Sequence, residues 1–155
     1  MDYIIEIKEL SKQYFNKKAL NNISINIEKG KIIGILGPNG TGKTTLIKII
    51  TGILRQSKGE IKIDGKTPGV YTKSIVSYLP DRNFLYPWMN IKDAIAFYKD
   101  FYKDFDEKKA YELLDFMKLN SKSKISSLST GMTEKLNLAL VLSRSSTRSN
   151  FKCYY

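Results

Sequence analysis

Residues 31–52 read K-I-I-G-I-L-G-P-N-G-T-G-K-T-T-L-I-K-I-I-T-G. Lys31 to Leu36 is a short apolar run without alternation, the pattern of a strand covered on both faces of a parallel sheet. Gly37-Pro38-Asn39-Gly40-Thr41-Gly42-Lys43-Thr44 follows and fits G-x-x-x-x-G-K-[ST] at every fixed position. Thr45 to Thr51 predicts a helix, with Gly52 as its stop. Strand, loop and helix in that order are the context such a loop needs.

The residue types suit phosphate chemistry. Glycines let a loop wrap closely around phosphate oxygens and aim successive backbone N–H groups inward. A helix beginning near Lys43 adds its positive end. Lys43 is the expected partner of the β- and γ-phosphates. The Thr44 hydroxyl is the expected ligand of Mg²⁺, a hard cation that takes oxygen. The stretch therefore reads as a nucleoside triphosphate site; a glycine-rich turn that binds nothing is the plain alternative.

The 155 residues suffice for one domain with a real core. A formal charge of +11 permits an anionic partner, but the lysines are spread along the chain and read as solvated. Cys153 is the only cysteine, so an internal disulfide is excluded and no metal-ligand spacing arises. No run reaches the roughly 18 apolar residues of a membrane span. Met1-Asp2-Tyr3 does not open a signal peptide, and a cytoplasmic chain is expected.

Around the phosphate loop the pattern predicts strands at Tyr3 to Leu10 and Asn22 to Ile27, the latter with Ile23, Ile25 and Ile27 on one face. Ser11 to Lys18 between them reads as a turn holding Tyr14 and Phe15. Further strands are expected at Glu60 to Asp64 and Ser74 to Leu79. From Asp81 the pattern becomes helical. Asn90 can cap a helix from Ile91 to about Tyr102, and Asp106 another carrying Ala110, Leu113, Leu114 and Met117 at helical spacing. After a serine- and lysine-rich loop, Leu128-Ser129-Thr130-Gly131-Met132 opens a third helix. It is apolar nearly all round, which predicts burial.

This order resembles the ATP-binding subunit of bacterial ABC transporters. An aromatic residue precedes the phosphate loop, a strand ends in Y-L-P-D, a helical insert follows, and L-S-T-G-M stands where the family signature reads L-S-G-G-Q. The resemblance covers residues 3 to 144. The run from Tyr78 to Asn83, with Trp88 and Met89, looks most like multidrug or antibiotic-peptide exporters. It implies an α/β fold: a P-loop core of mostly parallel strands, an antiparallel N-terminal β region, and a helical insert at about 82–140. It also implies ATP and Mg²⁺ as ligands, with Gly37, Pro38, Asn39, Gly40, Thr41, Gly42, Lys43, Thr44 and Thr45 around the nucleotide.

The resemblance carries further roles. Tyr14 matches the aromatic that stacks on adenine, with Phe15 as the alternative. Asp81 stands where the family usually has glutamine; it can join Thr44 as a metal ligand, but when ionised it cannot donate a hydrogen bond to a γ-phosphate. Ser129, Thr130 and Gly131 match the signature that faces the partner subunit's ATP. Met132 replaces its glutamine. Phe84, Leu85, Tyr86, Trp88 and Met89 read equally as a docking surface for a membrane subunit or as core of the insert. The implied partners are membrane subunits and a second ATP-binding subunit, at the inner face of the cell membrane. No specific nucleic acid is expected.

The family pattern breaks off after Arg144. The family continues into a strand ending in Asp-Glu and, later, a switch histidine. This sequence has no acid after Glu134 and no histidine at all. Residues 145–155 are expected to be a non-homologous, disordered tail, read out of frame, on a C-terminally shortened ATPase domain of residues 1–144. The function expected from the resemblance is energising transport by ATP hydrolysis, with turnover of this chain itself expected to be absent. The alternatives are a non-catalytic fragment and a soluble ABC-type protein acting on nucleic acid.

Overall fold

The computed structural model describes residues 2–79 and 85–144, and the backbone of 151–154. Two compact units meet in sequence between Ser77 and Tyr78.

The first unit is built on a hairpin. Strands β1 (Tyr3–Tyr14) and β2 (Lys17–Glu28) pair antiparallel, and β3 (Lys58–Ile63) joins the far side of β1, giving the order β2-β1-β3. Both hairpin strands run on through the expected Ser11–Lys18 turn. Only Phe15 and Asn16 are left to reverse the chain, with Phe15 at φ 45°. Repeated shifts of register explain why the alternation looked shorter. At two of the irregular places the backbone turns left-handed, at Glu9 (φ 49°) and Asn22 (φ 50°). Serine hydroxyls take up the displaced N–H groups: Glu9 N–H donates to Ser24 and Asn22 N–H to Ser11.

Ile4, Ile5, Ile7 and Leu10 of β1 are buried with Leu20, Ile61 and Ile63. Ile25 on the edge strand β2 keeps 39% of its surface exposed, so the isoleucine face of that strand is only partly covered. Helix α1 (Lys43–Ile50) buries Leu46, Ile47, Ile49 and Ile50. Each such side chain contributes about 1.5–3 kcal/mol when fully removed from water. A second helix, α2 (Val70–Ile75), takes in the first two residues of the strand expected at Ser74 to Leu79, so β4 spans only Val76–Leu79. Its start is fixed by Thr72, whose hydroxyl accepts the Gly69 N–H at 2.8 Å.

Two expectations are corrected. Residues 31–36 form no strand: Ile32 is fully exposed and Leu36 94% exposed. A strand inside a sheet needs ladder partners for its N–H and C=O groups, and none lies beside this stretch among the described residues. The second correction concerns the tail. Phe151–Tyr154 forms a strand, β5, in a two-stranded sheet with β4, where the pattern gave none. Phe, Cys and Tyr suit a pleated surface, and β4 offers an edge to pair with.

The second unit is helical. Helices α3 (Ile91–Phe101), α4 (Glu107–Phe116) and α5 (Thr130–Leu142) enclose a core of Ile91, Ala94, Ile95, Tyr98, Ala110, Leu114, Leu136 and Leu140, among others. Each helix starts on a side-chain cap: Asn90 accepts from Asp93 N–H, Asp106 from Lys109 N–H, Ser129 from Met132 N–H. Asp93 returns the bond to Asn90 N–H, completing a capping box. Leu85 and Met89 belong to this core, whereas Tyr86 and Trp88 stack on each other at 5.7 Å and stay more than half exposed.

Candidate functional site

The loop Gly37–Gly42 leads into α1 through a left-handed residue, Gly42 at φ 91°. Glycine is required there twice over. The backbone lies in a region that L side chains avoid, and a Cβ would run into the Ala19 carbonyl oxygen and the Leu20 side chain of β2. The close approach seats the start of α1 directly on the hairpin. No acid occupies the first turn of α1, so its positive end is uncompensated.

Lys43 reaches back over the loop. Its Nζ donates to the carbonyl oxygens of Gly37 and Pro38, both at 2.7 Å. Thr41 Oγ1 donates to the same Pro38 oxygen at 2.9 Å. The loop is thus closed around one ammonium group, with Gly40 also left-handed at φ 84°. Thr44 and Thr45 follow, half-buried in the first turn of α1. The residue types fit a polyphosphate: a cation, hydroxyls and the N–H groups of a helix start are gathered within one short loop.

Tyr14 ends β1 and pairs with Lys17. Two residues back, Lys12 pairs with Leu20, the residue against which Gly42 closes. The strand that carries Tyr14 thus pairs with the one against which Gly42 packs. Tyr14 is 42% exposed, whereas Phe15, in the turn itself, is 99% exposed. Lys12 Nζ lies 5.1 Å from the centroid of the Tyr14 ring and donates to the Arg55 carbonyl oxygen at 2.7 Å. No sequence motif marks Lys12, because its partner is 43 residues away.

Asp81 lies outside the described residues, as does Phe84. Among the described residues no group of three or more histidines, cysteines or carboxylates gathers into a metal site. The stretch Ser129-Thr130-Gly131 belongs to the second unit. Ser129 caps α5, and Thr130 and Gly131 lie exposed in its first turn. A Cβ on Gly131 would meet nothing within 4 Å. Met132 turns the other way and packs with Leu128 against the helical core.

The sequence profile of the ABC transporter family matches residues 20–147. The chain belongs to this family. It is similar to the SkfA peptide export ATP-binding protein SkfE of Bacillus subtilis, 34% identical over 143 residues, which cover 88% of this chain and 59% of SkfE. It is also similar to the spermidine/putrescine import ATP-binding protein PotA of Bacteroides fragilis, 43% identical over 96 residues, or 61% of this chain and 21% of PotA. Among solved structures, an ABC transporter ATP-binding protein from Pyrococcus furiosus superposes with a TM-score of 0.78 at 31% identity, over 91% of this chain and 70% of that one. The chain thus spans about three fifths of the length of SkfE. ABC ATPases bind and hydrolyse ATP; the two relatives are named for opposite directions of transport, export and import. No helix among the described residues is long and apolar enough to cross a membrane.

Proposed function

We propose that this chain is the ATP-binding part of an ABC transporter of the peptide- or drug-exporting kind. The observation that carries the reading is the loop Gly37–Gly42, closed on Lys43 at the start of α1. ATP binds by exchange: its β- and γ-phosphate oxygens replace the Gly37 and Pro38 carbonyls around Nζ. The backbone N–H groups of Asn39 to Thr45 take the remaining oxygens. Tyr14 stacks on the adenine. Thr44 and Asp81 would hold Mg²⁺, which would supply charge neutralisation to the phosphates.

Ser129, Thr130 and Gly131 face the ATP of a second ATP-binding subunit. Their exposure at the start of a capped 13-residue helix supports that role. The exposed pair Tyr86 and Trp88 is offered to a membrane subunit at the inner face of the cell membrane. Export is favoured by the similarity to SkfE, which covers more of this chain than that to PotA.

The deciding experiment is calorimetric titration of Mg-ATP into the parent chain and Lys43→Ala. Loss of binding in the variant is expected. Equal affinity removes the phosphate-loop assignment.

A further inference from the structure

We infer that Lys12 is a positioning residue that fixes the Tyr14 ring and leaves one face of it for a purine base. The inference rests on the reading of Tyr14 as the base-stacking residue and adds to it a specific partner.

The geometry has two parts. Lys12 Nζ lies over the Tyr14 ring, 5.1 Å from its centroid, within the range of a cation–π contact. The same ammonium donates to the Arg55 carbonyl oxygen at 2.7 Å. Arg55 lies five residues past the end of α1 at Ile50, so the lysine is tied at both ends: by its backbone to the hairpin, by its head to the segment that follows the helix. A tethered ammonium holds the ring more firmly than a free one would. Tyr14 itself has no comparable anchor in the ladder, since it is the last residue of β1 and pairs only with Lys17.

The contact has two consequences for a ligand. One face of the ring is taken, so a flat base stacks on the other. A cation on one face also draws π density away from the opposite face. An electron-poor ring face suits an electron-rich purine better than an electron-poor pyrimidine. Lys12 therefore acts on the base and not on the phosphates, although it is a cation close to a phosphate-binding loop.

The test separates those two roles. Mg-ATP and inorganic tripolyphosphate, which has no base, are titrated calorimetrically into the parent chain, Lys12→Met and Lys12→Arg. Lys12→Met is expected to weaken ATP by about two- to fivefold, the scale of an exposed cation–π contact, and to leave tripolyphosphate unchanged. Lys12→Arg, which keeps the cation, is expected to restore ATP affinity. Equal weakening of both ligands would show that Lys12 acts only as a charge near the phosphates and would overturn the inference. So would no change in either. Tyr14→Ala is run alongside: if it leaves ATP affinity intact, the stacking reading itself fails, which is a different result from failure at Lys12.

Discussion

Arg144 closes on Asp104 across 40 residues of sequence, with Nη2 3.2 Å from both carboxylate oxygens and Nε 3.3 Å from one of them. The guanidinium also lies 4.1 Å from the Tyr102 ring centroid. Arg144 is 6% exposed and follows the end of α5; Asp104 precedes α4. The pair thus ties the two helix ends together, next to the backbone bond from Asp106 N–H to Ser143 O. Asp104→Ala removes a carboxylate bonded to a buried guanidinium. A loss of about 2–4 kcal/mol is expected, below the fully buried case because Asp104 keeps a fifth of its side chain in water. Urea denaturation followed by the single tryptophan, Trp88, measures it. Asp104→Asn, which keeps a hydrogen-bond acceptor, should lose less. Equal loss in both variants would assign the effect to packing.

The open stretch 31–36 should make the chain self-associate. Ile32 and Leu36 expose almost their whole surface, beside backbone groups that pair with no strand among the described residues. Such a segment is a template for another chain. The double variant Ile32→Lys, Leu36→Lys is expected to sediment as a monomer at concentrations where the parent forms larger species. A parent that sediments as a single monomer would show that the stretch is not adhesive.

Mg-ATPase turnover by this chain alone is expected to be indistinguishable from that of Lys43→Ala. The loop can hold phosphates, but hydrolysis also needs an oriented water. Phosphate release well above the variant would mean that another carboxylate supplies that role, and Asp81→Asn would be the first substitution to make.

The first unit should lose stability in acid through Asp64. Its carboxylate accepts from the Tyr71 hydroxyl at 2.7 Å and pairs with Lys29 at 3.0 Å; both hold its pKa below the usual 3.8, the tyrosine contact more strongly. A depressed carboxylate stabilises the fold above its unfolded pKa, and that contribution disappears as pH falls through the lower folded value. Melting temperature should therefore drop more steeply below about pH 4 in the parent than in Asp64→Asn. Parallel curves would exclude Asp64 as the group responsible.

The helical half of the molecule was legible because its signals are local. Asn90, Asp106 and Ser129 are short polar residues directly before apolar residues at helical spacing, and each caps a helix. The phosphate loop was legible for the same reason: glycine spacing within eight residues carries the information. What failed was non-local. The apolar run 31–36 has the composition of a buried strand, but burial depends on neighbours that a run of six residues cannot specify. Helix α2 was missed because Val70, Tyr71 and Thr72 favour strands, whereas bonds between Thr72 and Gly69 start a helix there. Lys12 was invisible because its meaning lies in the Arg55 carbonyl.

The phosphate loop has one fixed end. Gly42 is pressed against β2, while residues 31–36 at the other end are held by no sheet among the described residues. Ordering a residue's backbone costs about 1–2 kcal/mol in conformational entropy at room temperature. A nucleotide that stiffens the loop must therefore also settle the segment that enters it. Binding should show a favourable enthalpy opposed by an unfavourable entropy. Anything that supplied a neighbouring strand to residues 31–36 would remove part of that entropy in advance. It would tighten nucleotide binding without touching the nucleotide, and by the same linkage the nucleotide would tighten the strand.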